Sequence, residues 1–149
     1  MGFLTGKTAI ITGAGRAVLS DGRCGSIGYG IATAYAKEGA NIVITGRNES
    51  KLAAAKEGIR GLTRVAATEW AKDGINVNII CPLAWTSQLE QFKNAYPDAF
   101  DKNVHTPPAG HFGDAELEIG RVCVQLASPD FKYMTGETLT LEGGLGQRP

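Results

Sequence analysis

Residues Thr12 to Gly30, TGAGRAVLSDGRCGSIGYG, decide how this chain folds. They follow an apolar run, Thr8-Ala9-Ile10-Ile11, and lead into IATAYAKEGA, where Ile27, Ile31, Ala34 and Tyr35 recur at helical spacing. The pattern is strand, glycine-rich turn, helix. Such a turn lets backbone approach a pyrophosphate closely. The helix behind it aims unpaired N–H groups and the positive end of its dipole at the phosphate charge. The stretch therefore reads as a dinucleotide site, although an ordinary loop can carry the same glycines and the neighbouring elements must decide.

Working outward, the first strand runs from about Lys7 to Thr12, and the helix ends near Lys37 with Glu38-Gly39-Ala40 as its stop. The next apolar run, Asn41 to Thr45, completes a βαβ unit. Gly46-Arg47-Asn48 follows it, where such units choose between nicotinamide cofactors. An acid there hydrogen-bonds an adenosine ribose 2′-hydroxyl, whereas an arginine accommodates a 2′-phosphate. The acid is absent, Arg47 is present, and Arg16 in the first turn supplies a second cation. The expected cofactor is NADP rather than NAD; each arginine taken alone could equally be a solvated surface charge.

A helical pattern spans Glu49 to about Lys72, with Ile59, Leu62, Val65, Ala66 and Trp70 as its apolar face, and Asp73-Gly74 ends it. A strand from Ile75 to Ile80 runs into Cys81-Pro82. Ser87 to Gly113 reads as a loop-rich lid or binding segment. Asp114 can cap a helix whose face is Ile119, Val122, Cys123 and Leu126, and the last strand alternates across Glu137 to Leu141.

The chain has 149 residues, one domain over 1–149 by length, and 15 basic side chains balance 15 acidic ones. No basic run interleaves with aromatics, so nucleic acid and anionic membrane surfaces are not expected partners. No apolar stretch reaches membrane-spanning length and no signal peptide is recognisable. Gly6 stands where an N-terminal acylation motif wants Ser or Thr. Cys24, Cys81 and Cys123 lack metal or redox-pair spacing and point to a reduced, cytoplasmic setting. His105 and His111 show no third ligand or carboxylate pattern, so no metal site and no nucleophilic dyad is expected. Tyr29, Tyr35, Tyr96 and Tyr133 have no lysine four residues on and read as packing, while Trp85 and Phe92 could line a substrate pocket or pack a core.

These segments resemble the short-chain dehydrogenase/reductase family at both ends of its sequence. GKTAIITG ending at Gly13, the glycine turn, and GIATAYAKEGANIVITGRN look like the family's opening; Ala53 to Pro82 and Leu126 to Gly144 look like its closing. The resemblance implies hydride transfer between a nicotinamide cofactor and a small carbonyl or alcohol substrate. In that family a tyrosine moves the proton, a lysine four residues later lowers its pKa and holds the nicotinamide ribose, and a serine polarises the carbonyl. Lys56 matches the lysine, Leu52 occupies the tyrosine position, and the serine and its strand have no counterpart. Lys56 is thus a remnant ribose contact or an exposed helix lysine.

By the same resemblance Gly13, Gly15, Arg16, Ser26, Ile27, Gly28, Arg47, Pro82, Leu83 and Thr86 are the cofactor-binding positions. Ser26-Ile27-Gly28 stands for the usual Gly-Ile-Gly. The extra residues Ala17 to Gly25 make the turn look like the divergent enoyl-acyl-carrier-protein reductase branch, and Leu83 replaces a glycine. About three strand-helix units are missing, with a junction near residues 51–57 where two helices of similar sequence would fuse. The implied fold is an α/β, Rossmann-like parallel sheet with helices on both faces, reduced to about four strands in the order 2-1-6-7 of the family's numbering. A right-handed crossover permits the fused helix to pass over strand one. The expected function is an NADP-dependent oxidoreductase, impaired in this shortened chain and forming a homo-oligomer through its C-terminal strand. The alternatives are a catalytically silent nucleotide-binding module and a deletion product that oligomerises over exposed strand edges.

Overall fold

A computed structural model of the chain describes residues 2, 4–45 and 53–146, with residues 12, 43–45 and 53–59 described in their backbone alone. The βαβ opening is as the sequence predicts: β1 (Thr8–Thr12), α1 (Ile27–Lys37) and β2 (Asn41–Thr45). β1 and β2 pair in parallel with Thr8 opposite Asn41 and Thr12 opposite Thr45. The long helix α2 covers Ala53–Trp70 and closes in a 3₁₀ turn, Ala71–Asp73, with Gly74 at φ 73° reversing the chain. Only glycine takes that left-handed conformation without steric cost.

The next strand starts later than its apolar pattern suggests, as β3 (Ile79–Pro82), parallel to β4 (Thr138–Leu141). Residues 75–78 meet side chains and a loop in place of a strand. Val77 N donates to Thr135 Oγ1 (3.1 Å), and Asn76 and Asn78 donate to the carbonyls of Lys132 and Met134. The segment read as loop carries two helices, α3 (Ser87–Ala95) and α4 (Pro97–Asn103). Thr86 Oγ1 caps α3 by accepting from Leu89 N (3.3 Å), and Pro97 opens α4 at a position where its missing N–H costs nothing. Asp114 caps the following helix as expected. That helix begins as a π-helical turn, Ala115–Gly120, and continues as α5 (Arg121–Leu126).

The α/β class and the parallel pairings hold, but the single sheet in the order 2-1-6-7 does not. The strands form two parallel pairs, β1–β2 and β3–β4, and among the described residues no ladder joins β1 to β3. Among the described side chains, the long helix does not cover strand one either. Its small buried face, Thr63, Ala66 and Ala67, lies toward the second pair, where Ala67 Cβ comes within 3.5 Å of a β-carbon built at Gly136. Ile10 is left 72% exposed in the middle of β1.

The physical reason lies in what holds the halves together. α1 packs on residues 115–120 through small residues: a β-carbon at Gly30 would stand 2.4 Å from Ala115 C and O, and one at Gly120 would stand 2.8 Å from Ala34 Cβ. Leu4, Ala34 and Val124 form the buried core beside this contact, and Tyr35 donates its hydroxyl to Cys123 O (2.7 Å). Lys37 with Glu116, and Arg121 with Glu38 (2.9 Å), lace the rim. The halves thus meet through these helices, and among the described residues β1 and β3 share no ladder.

Candidate functional site

The glycine turn leaves β1 at Gly13, whose φ of 70° only glycine adopts readily. A β-carbon at Gly13 or at Gly15 would meet nothing within 4 Å, so the turn presents open backbone. Gly28 is the reverse case: a β-carbon there would meet Gly13 O at 2.6 Å and Ala14 Cα at 2.8 Å, so the helix start sits directly on the turn. Ser26 is the N-cap of α1, yet its hydroxyl does not cap the helix; it donates to Gly15 O at 2.8 Å. The first intrahelical bond joins Gly30 N to Ser26 O (2.9 Å), so the N–H groups of Ile27, Gly28 and Tyr29 have no partner within the helix. No acidic side chain stands in the first turn of α1. The arrangement offers donors and open backbone to an anion. Arg16 is exposed beside it.

The loop after β3 is drawn to the same turn, for Ser87 N donates to Gly25 O (2.8 Å). Thr86 is half-buried as the cap of α3. The backbone N–H of Leu83 is already engaged, donating to Leu141 O (2.8 Å), and its carbonyl accepts from Gly113 N (3.3 Å). Pro82 ends β3. Gly13, Gly15, Arg16, Ser26, Ile27 and Gly28 are therefore one constellation, with Thr86 tied to it through Ser87. Arg47 and Leu52 lie outside the described residues. Lys56 lies in the first turns of α2, in the part described by backbone alone.

A cleft of about 500 Å³ opens at the carboxyl ends of β3 and β4, lined by Leu83, His111, Glu118, Ile119 and Leu141 among others. His111 does have a carboxylate partner, contrary to the sequence reading: Nε2 lies 2.8 Å from Glu118 Oε1. The Glu118 carboxylate raises the His111 pKa by hydrogen bond and by charge, while Asp114 N–H and His111 hold the Glu118 carboxyl low. The seven-residue spacing hid the pair, because the π-helical turn between them cannot be read from apolar periodicity. Burial pushes the Tyr35 hydroxyl up to about 12 and the Cys123 thiol up to about 11, which suits packing. Trp85 packs edge-on to Phe100 at 6.0 Å and Phe92 lies 6.1 Å from Phe100, so both join the aromatic contact under α3 and α4. Among the described residues no three His, Cys, Asp or Glu side chains are grouped to hold a metal ion, and no described helix is long and apolar enough to cross a membrane.

The model of a family described as enoyl-(acyl carrier protein) reductase matches residues 47–146. The 12α-hydroxysteroid dehydrogenase of a Clostridium species is 40% identical in an alignment covering 100% of both chains. The chain belongs to the short-chain dehydrogenase/reductase family. That alignment runs over 266 positions against 149 residues here, a difference of 117. Against the human (3R)-3-hydroxyacyl-CoA dehydrogenase the chain is 33% identical, with 95% of the chain covering 51% of that enzyme. It spans only 35% of the 2,3-dihydroxy-2,3-dihydro-p-cumate dehydrogenase of Pseudomonas putida, at 34% identity. Solved structures of the fold agree. A short-chain dehydrogenase/reductase structure from Burkholderia xenovorans superposes with a TM-score of 0.77 at 17% identity, covering 100% of each chain. The Pseudomonas aeruginosa RhlG/NADP active-site complex does so with a TM-score of 0.71 at 17% identity, covering 95% of this chain and 97% of that one.

Proposed function

We propose that this chain binds NADP at the glycine turn and does not turn it over. The observation that carries the reading is the uncapped start of α1 facing the open backbone of Gly13 and Gly15. Gly13, Gly15, Ser26, Ile27 and Gly28 would hold the pyrophosphate, Arg16 and Arg47 the 2′-phosphate that distinguishes NADP from NAD, and Pro82, Leu83 and Thr86 the nicotinamide end. The bound cofactor would supply or accept a hydride at a carbonyl or alcohol carbon. What this chain lacks is the proton's route: Leu52 at the tyrosine position cannot exchange a proton, and positioned proton transfer contributes ~10²- to 10⁴-fold in rate. Lys56 remains as a ribose contact without a tyrosine to tune.

The substrate class that goes with this lineage is a small or alicyclic alcohol or ketone, of the kind the hydroxysteroid dehydrogenase name indicates. The excess of alignment positions over residues supports an internal deletion with its junction near 51–57, within one nucleotide-binding domain. We place the protein in the cytoplasm, where its unpaired thiols are at home.

Equilibrium titration tests the reading. NADPH is expected to bind more tightly than NADH, and Gly28→Ala, whose new methyl collides with Gly13 and Ala14, is expected to abolish binding. Equal affinity for the two cofactors would remove the NADP preference; NADPH binding by Gly28→Ala would remove the site.

A second reading, self-association without nucleotide, is favoured by the exposure of Ile10 on a strand whose second edge carries no ladder among the described residues. A homo-oligomer through that edge and a dimer through the C-terminal strand are distinguished by which substitution, Ile10→Lys or Thr140→Lys, returns the monomer.

A further inference from the structure

The two ends of the nucleotide turn are joined by a hairpin that α3 grips at tip and base. Between Arg16 and Ser26, Gly25 N donates to Ala17 O (2.8 Å), Val18 faces Cys24 across an antiparallel bridge, and Leu19 N donates to Arg23 O (3.0 Å). Gly22, at φ 88°, closes the turn by donating to Leu19 O (3.0 Å). At the tip, Ser20 donates twice to one carboxylate, from its N–H to Glu90 Oε2 (3.1 Å) and from its hydroxyl to Glu90 Oε1 (2.7 Å). At the base, Gly25 O accepts from Ser87 N (2.8 Å), in the first turn of the same helix. Arg23 adds a side strut to Asp114 Oδ2 (3.1 Å). A two-stranded hairpin is marginal by itself in water. Its shape, and the placing of the Arg16 and Ser26 that flank it, depends on these anchors.

We infer that Glu90 is a positioning residue for the nucleotide turn: by holding Ser20 it sets the hairpin, and through the hairpin it sets Arg16 and Ser26. The inference rests on the NADP reading above and extends it, because α3 and α4 carry the aromatic contact with Trp85. Nucleotide binding and the docking of these two helices are then coupled, and the coupling acts in both directions.

The test uses the full chain with Trp70→Phe, which leaves Trp85 as the only tryptophan of the two. Glu90→Ala is expected to weaken NADPH binding on the order of fivefold while the far-ultraviolet circular dichroism stays unchanged. Glu90→Gln keeps an acceptor for Ser20 and is expected to restore most of the affinity. Ser20→Ala combined with Glu90→Ala is expected to be no weaker than Glu90→Ala alone, since losing the Glu90 carboxylate already removes the hydroxyl bond that Ser20→Ala removes. NADPH is expected to shift Trp85 emission in the parent and not in Glu90→Ala. A parent that binds NADPH together with a Glu90→Ala variant that binds it equally well overturns the positioning role alone. Additive losses from Ser20→Ala and Glu90→Ala overturn it too, as does a Glu90→Gln variant as weak as Glu90→Ala. A parent that binds no NADPH removes the nucleotide reading and this inference with it.

Discussion

Gly30 and Gly61 are both helical glycines and have opposite requirements. A β-carbon at Gly30 would drive into the backbone of Ala115, whereas one at Gly61 meets nothing within 4 Å. Gly30→Ala is expected to destabilise by about 1–3 kcal/mol through overpacking, and Gly61→Ala to stabilise by roughly 0.5–1 kcal/mol; denaturant midpoints of the two variants check this. Asp114 gives a pH signature. Burial raises its carboxyl, but the N–H groups of Leu117 and Glu116 and the Arg23 guanidinium outweigh burial and hold it below 3.8. Because the folded pKa is depressed, the stabilisation is present above the unfolded value of about 3.9 and is lost as pH falls through the folded one. The melting temperature of wild type is expected to drop more steeply than that of Asp114→Asn on acidification below about pH 4.

Among the elements, the edges that β1 and β3 leave without a ladder among the described residues differ. Ile79 and Leu83 donate toward β4, so alternation turns the position of Pro82 to the free edge, where its missing N–H discourages further pairing. β1, TAIIT, has neither a proline nor a charge. Self-association is therefore expected to run through β1, and Ile10→Lys is expected to abolish any concentration-dependent rise in mass by sedimentation velocity; an unchanged rise would place the contact elsewhere. The βαβ opening was legible because glycines and apolar runs punctuate it locally. α3 and α4 were not, although Thr86 and Pro97 were start signals in plain sight, because each helix is short and its apolar residues are aromatic rather than periodic. The division of the strands into two pairs was illegible for a different reason. It joins segments far apart in the chain, as does the close approach at Gly30 and Gly120, and no local pattern reports such pairings.

At the scale of the whole molecule, the opening segment forms the glycine turn and the closing segments line a cleft at the strand ends, while the proposed loss of turnover rests on Leu52 standing at the tyrosine position of the resemblance. The backbone course of the turn was readable from its glycines, since Gly13 takes a positive φ and Gly28 a close approach that other residues resist; that these positions hold a cofactor is the proposal. The grip of Glu90 on Ser20 was not, because it spans a sequence gap that only the fold closes. The central claim, cofactor binding without turnover, is tested most directly by titrating the protein with NADPH and following cofactor oxidation in the same sample with a cyclic ketone present. Saturable binding at one NADPH per chain with oxidation no faster than in protein-free buffer is the predicted result; sustained oxidation, or no binding at all, would contradict it.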